Sequence, residues 1–254
     1  MADFPDGVAI VLGGSGGIGR AIVERLAHYG AHVALTYRGN RDGAEAAAAD
    51  ARAHGVTASI HPLALGDPAA VAALFAELRA ARGPVHTVVH AAGSGIAQPL
   101  IRDVTPAQWR EVIDADVNGF FDVVHASLPL VREARGSYVF ISSAGLERYP
   151  AGDILSVAPK AAVEALITGL AREEGRHGVR ANSVLLGVID AGMFPRLVEA
   201  GHFSAAWVEA AQRNAALRRF GTAAEVAEAV AFLASRRASY LTGQRLLLDG
   251  GYSL

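Results

Sequence analysis

A chain of 254 residues, 52% hydrophobic and 19% charged, carries enough apolar material for one α/β domain with a sizeable core. Its 23 basic and 25 acidic side chains leave a net charge of −2, which gives no electrostatic footprint for nucleic acid or an anionic membrane. Cysteine is absent, so disulfides, thiolate metal sites and a cysteine nucleophile are excluded, in keeping with a reducing, cytoplasmic setting.

The N-terminal stretch MADFPDGVAIVLGG has a short apolar run flanked by acids, unlike a signal peptide, and no transmembrane span is expected. From there short apolar runs alternate with Ala-rich helical patterns, the rhythm of a doubly wound parallel sheet. Strands are expected near Val8 to Leu12, His32 to Tyr37, Ser59 to Leu63, Thr87 to His90, Tyr138 to Ser142, Asn182 to Leu186 and Arg245 to Leu248. No linker or charge block divides the chain, so residues 1–254 read as a single Rossmann-type α/β domain.

The first strand runs through GGSGGIG into an amphipathic helix. Glycines there admit close backbone approach, and a helix N-terminus offers free N–H groups to a pyrophosphate. Two registers fit, Gly14-x-Gly16-x-x-Gly19 and Gly13-x-x-x-Gly17-x-Gly19. Where an NAD site usually ends its second strand in an acid, this chain has Tyr37 and then Arg38, which suits the 2′-phosphate of NADP(H). Next comes the stretch AEAAAADARAHG, a helix ended by Gly55. His90, at a strand end without further ligands at metal spacing, reads as structural, and no metal site is expected; His28 and His32 are separated by Gly30, which ends their helix. The least regular stretch, near 187–204, is long enough to be a substrate lid; its apolar, aromatic composition suits a hydrophobic small molecule.

Several segments together resemble the short-chain dehydrogenase/reductase family from end to end. The family's Thr-Gly-x-x-x-Gly-Ile-Gly corresponds to Leu12, Gly13, Gly17, Ile18 and Gly19; its Asn-Asn-Ala-Gly becomes His90, Ala91, Ala92 and Gly93; VFISSAG supplies Ser143, and LSVAPK supplies Lys160. The resemblance places the family's helix asparagine at Asn118, implies further cofactor contacts at Ser15, Asn40, Leu65, Ala91, Gly93, Lys160 and Ile189, and implies a homotetramer or homodimer. Ala64, Leu186 and Ala191 depart from the family pattern where the cofactor would lie.

The largest departure is Ser156, standing where the family carries the tyrosine that protonates the nascent alkoxide. Ser143 precedes it at the family spacing and would polarise the carbonyl. Because Pro159 is tolerated only in a first helical turn, Ser156 is read first as a helix N-cap and second as a weak replacement acid. Tyr149 is the nearest substitute phenol. Three readings stay open: an enone or enoyl reductase, whose enolate intermediate relaxes the demand for a strong acid; a ketone reductase with another proton source; and a cofactor-binding protein without redox turnover.

Overall fold

The computed structural model describes residues 3–93, 95, 98–201 and 203–254. Val8–Leu12 (β1) is buried along its whole length, as a strand covered on both faces must be. Val8, Ile10 and Leu12 enter one hydrophobic cluster, while Ala9 and Val11 enter another on the opposite face. Around it lie Val33–Tyr37 (β2), Ala58–Pro62 (β3), Val85–His90 (β4), Ser137–Ser143 (β5), Arg180–Leu186 (β6) and Arg245–Leu248 (β7). All pairings are parallel and the spatial order is β3-β2-β1-β4-β5-β6-β7. All seven expected strands are present, with ends displaced by no more than two residues.

Helices cover both faces. Gly17–His28 (α1), Arg41–Arg52 (α2) and Ala223–Ala234, the ninth helix in chain order, pack over Ala9 and Val11. In α2 the residues Ala44, Ala47, Ala48 and Ala51 form one buried stripe at helical spacing. The chain then leaves through Gly55 at φ +80°. Gly30, at φ +88°, does the same after α1. The opposite face is covered by Pro68–Arg82 (α3), Gly119–Ala134 and Ile154–Glu174. Pro106–Val112 (α4) and a π-helical turn, Ile113–Asn118, lead into Gly119–Ala134 (α5).

Ile154–Glu174 (α6) corrects one expectation. It begins five residues before Pro159, so Ser156 lies inside its first turn and the N-cap position belongs to Asp153. Pro159 has no N–H to complete the ladder, yet its side chain is buried in the packed helix, and tertiary contacts hold the turn that sequence alone would break. By length and composition alone α6 could cross a bilayer, with a mean hydropathy of 1.5, but half of that window is buried and the helix packs on β5 and β6. The stretch near 187–204, expected to be irregular, also differs from expectation. It contains Met193–Glu199 (α7) and is followed by Ala205–Asn214 (α8), ahead of the ninth helix, α9 (Ala223–Ala234). Gly192, Pro195 and Gly201 mask the helical pattern, but Pro195 falls in the first turn of α7, where a missing N–H costs little.

Candidate active site

At β1 the strand order reverses, with β2 on one side and β4 on the other, and the crevice beyond the strands' carboxyl ends is where such sheets bind ligands. A cleft of about 990 Å³ opens there. Gly13, Ser15, Gly17, Ile18, Gly19, Arg38, Asn40, Leu65, Ala91, Gly93, Lys160 and Ile189 all line it, as do Ala64, Leu186 and Ala191.

One end of the cleft is made of backbone. Gly13 turns the chain at φ +79°, its N–H donating to Thr36 Oγ1 at 3.1 Å, and a Cβ at this position would stand 2.7 Å from Ala92 Cα. Asn40 caps α2 by accepting from the Gly43 N–H at 3.0 Å and donates to the Ser15 carbonyl at 3.2 Å, tying the second strand's loop to the glycine turn. The N-cap of α1 is Gly16, which supplies no side-chain cap, and no acid occupies the first turn. That helix end is therefore left to an anionic ligand. Arg38 lines the same end, exposed, with no carboxylate at ion-pair distance among the described residues. This donor set fits a nicotinamide dinucleotide: a helix N-terminus for the diphosphate and a guanidinium for a further phosphate.

The other end is made of side chains. Ser143 closes β5, its Oγ accepting from the Gly145 N–H at 3.0 Å, so its own hydrogen is left for another acceptor. Ser156 is buried and accepts from Lys160 Nζ at 3.1 Å, one helical turn on. Burial pulls the Lys160 amine below its ordinary value, while Asp116 and Asp153 pull it back up. The Asp153 carboxyl is pushed up to about 6, chiefly by burial, against the opposing pull of Lys160 and of hydrogen bonds from Gln98 and Ser156.

Two expected site residues are elsewhere. Asn118 is exposed and donates to Asp114 Oδ1 at 2.9 Å; it is Asp116, two positions earlier in the π-helical turn, that lines the cleft. Residues two apart point to different sides of a helix, so the sequence assignment was on the wrong face. Tyr149 is 47% exposed and lies outside the cleft lining, although Pro150 and Ala151 belong to it. Sequence reasoning passed over Asp116, Asp153, Gln98 and Tyr252, which do line the cleft. The signal for Asp153 was present in an acid three residues before Ser156, placing both on one helical face.

His90 takes no part. Its ring packs against Phe120 and Phe140, with centroids 4.6 and 5.5 Å away, and neither nitrogen has a hydrogen-bond partner among the described residues. Burial holds it down to about 4, so it stays neutral. The wall formed by α7, α8 and the residues between them is aromatic and apolar: Met193, Phe194, Leu197, Phe203 and Trp207 line the cleft, with Phe203 and Trp207 stacked at 3.9 Å.

A family profile described as enoyl-(acyl carrier protein) reductase matches residues 13–253. The chain is 34% identical over 245 residues to the 3-oxoacyl-[acyl-carrier-protein] reductase FabG of Staphylococcus aureus, covering 96% of both chains. It is 36% identical over 253 residues to the acetoacetyl-CoA reductase of a Synechocystis species, covering 97% of this chain and 96% of that one. Among solved structures, a short-chain dehydrogenase/reductase from Serratia marcescens superposes with a TM-score of 0.89 at 30% identity, over 97% of this chain and 98% of that one. A short chain dehydrogenase from Burkholderia cenocepacia in complex with NADP gives 0.87 at 31%, with the same two coverages.

Proposed function

Because the chain belongs to the short-chain dehydrogenase/reductase family and is an oxidoreductase of that kind, we propose that it uses NADP(H) to reduce the ketone of an apolar, 3-oxoacyl-type substrate. The observation that carries this reading is the Lys160–Ser156 hydrogen bond, 3.1 Å, in the same cleft as Ser143 and the glycine turn. A bound reduced nicotinamide supplies a hydride. This chain's residues supply the rest: Ser143 donates to the carbonyl oxygen, Lys160 polarises the Ser156 hydroxyl, and the aromatic lid wall excludes water. Arg38 at the end of β2 favours the 2′-phosphate over a bare ribose.

The profile's description supports a second reading, hydride addition to an enoyl thioester, in which the oxygen is held as an enolate. The test is NADPH oxidation with 3-oxoacyl thioesters, simple ketones and enoyl thioesters. Turnover of the first group above the others supports the proposal. Tight NADPH binding with no turnover anywhere would instead favour a non-redox binder. We also propose self-association through the sheet edge, where Leu246 and Leu247 of β7 are 40% and 44% exposed. Light scattering that gives a monomer at micromolar concentration would overturn that.

A further inference from the structure

An aspartate at a helix N-cap ordinarily turns its carboxylate back onto the first-turn N–H groups. Asp153 does not. The N–H groups of Ser156 and Val157 donate to its backbone carbonyl, at 3.0 and 2.8 Å, and the side chain caps nothing. Released from that task, the carboxyl lines the cleft with Gln98 Nε2 3.5 Å from Oδ1 and the Ser156 hydroxyl as a hydrogen-bonding neighbour. Ser156 has one hydrogen, and its oxygen already accepts from Lys160, so that hydrogen can be given only onward, to Asp153 or to a ligand oxygen. Asp153, Ser156 and Lys160 thus form a continuous polar row beside the Ser143 end of the cleft.

We propose that Asp153 is the acid of this site, passing its proton through Ser156 to the substrate oxygen, and so supplies what the family takes from a tyrosine. This rests on the reductase reading above. As hydride reaches the carbonyl carbon, the C=O π pair moves onto oxygen. That oxygen takes the Ser156 proton, and Ser156 takes the proton of the Asp153 carboxyl, which is left as carboxylate. The carbonyl carbon is reduced, the nicotinamide is oxidised, and a proton from solvent restores the acid.

The carboxyl's elevated value of about 6 makes this acid available near neutrality. Lys160, about two turns on along α6, is the charged group acting on it, and Asp116 acts in turn on Lys160. The cleft's other charged or phenolic side chains among the described residues are Tyr37, Arg38, Arg196 and Tyr252. Reduction needs the protonated form, so its rate falls as pH rises through about 6. Alcohol oxidation needs the carboxylate and rises over the same range.

The test compares the parent with Asp153→Asn and Asp153→Glu in pH profiles of kcat/KM for ketone reduction. NADPH titration and melting temperatures at neutral and acid pH accompany them. Asparagine is itself a good N-cap, so the helix start is preserved. Expected are loss of the parent's pH limb and a fall of about 10²-fold in Asp153→Asn, with NADPH affinity unchanged and a limb retained in Asp153→Glu. A carboxyl raised by folding destabilises at neutral pH and not below its unfolded value. Asp153→Asn should therefore melt higher at neutral pH, with the gain gone in acid. Retained rate and pH limb in Asp153→Asn overturn the inference while the reductase reading stands; so does a lowered neutral melting temperature, which would mark Asp153 as structural. If no substrate is reduced although NADPH binds, the reductase reading falls and takes this inference with it.

Discussion

At the α1 end of the cleft the glycine turn shapes the wall with backbone, and its path is fixed by what is missing from the side chains. A Cβ on Gly17 would stand 2.9 Å from the Gly192 nitrogen, and one on Gly19 only 2.2 Å from the Gly13 carbonyl oxygen. At the α6 end the cleft is lined by the polar side chains of Asp116, Ser143, Asp153, Ser156 and Lys160, which come from three elements of the fold. A site written in backbone must keep its residues one by one. A site written in side chains can be rewired while the fold stays put. That is how a chain matching relatives along 96% of its length can keep its glycine turn and carry a serine, Ser156, one helical turn before Lys160.

The sharpest way to break this comparison is Lys160→Ala. The amine touches Ser156 and interacts with the Asp153 and Asp116 carboxyls, so its loss removes both the polarised hydroxyl and the cation that opposes the upward push of burial on Asp153. Reduction should fall by roughly 10²- to 10⁴-fold, the span of general acid catalysis, in NADPH oxidation assays. Gel filtration and NADPH titration separate that from misfolding. A rate within a few-fold of the parent would mean the α6 end is not where the reaction occurs.

Rewiring can then be attempted in reverse. In the Asp153→Asn background, Ser156→Tyr puts a phenol one turn before Lys160, and since α6 begins at Ile154 the position is already helical and lined up with the lysine. Activity should recover by about 10-fold to 10²-fold, with the pH limb displaced from the carboxyl range toward the phenol's reference of about 10. Recovery without that displacement would show that the new ring acts by packing alone.

Much of the cleft was readable from the sequence because backbone sites announce themselves. Gly13, Gly17 and Gly19 are required by sterics, and a strand running into them permits few structures. The α6 end was less readable for two physical reasons. A proline normally starts a helix, so Pro159 concealed that Ser156 was already inside one and that Asp153 held the cap position. Asn118 was placed by the family resemblance, but it and Asp116 both lie in the π-helical turn Ile113–Asn118, whose wider winding changes which residues share a face, and it is Asp116 that lines the cleft.

A milder test belongs to the nucleotide end. Arg38→Asp exchanges an exposed cation for an anion without touching any glycine. Charge-assisted hydrogen bonds contribute about 1.5–3 kcal/mol, so NADPH affinity should drop by roughly tenfold to a hundredfold while NADH affinity is maintained or improved. Fluorescence titration with both nucleotides reads the result directly. Equal affinities in the parent would remove Arg38 from the recognition of phosphate.

The smallest effect is expected at Tyr149, and its smallness is informative. From the sequence this phenol was the nearest replacement for the missing tyrosine, eleven residues before Lys160. In the structure it is exposed and outside the cleft lining, whereas Pro150 and Ala151 belong to that lining. A hydroxyl at the surface is free to hydrogen-bond with water, and its removal opens no cavity. Tyr149→Phe should leave kcat/KM and its pH profile within about twofold of the parent, as surface substitutions away from packed features usually change stability by less than about 0.5 kcal/mol. The comparison with Asp153→Asn is what gives this measurement force, because both residues flank the same α6 entrance and only one of them lines the cleft. A loss in Tyr149→Phe matching that in Asp153→Asn would require the loop to fold inward when substrate binds, and would return the proton to a phenol.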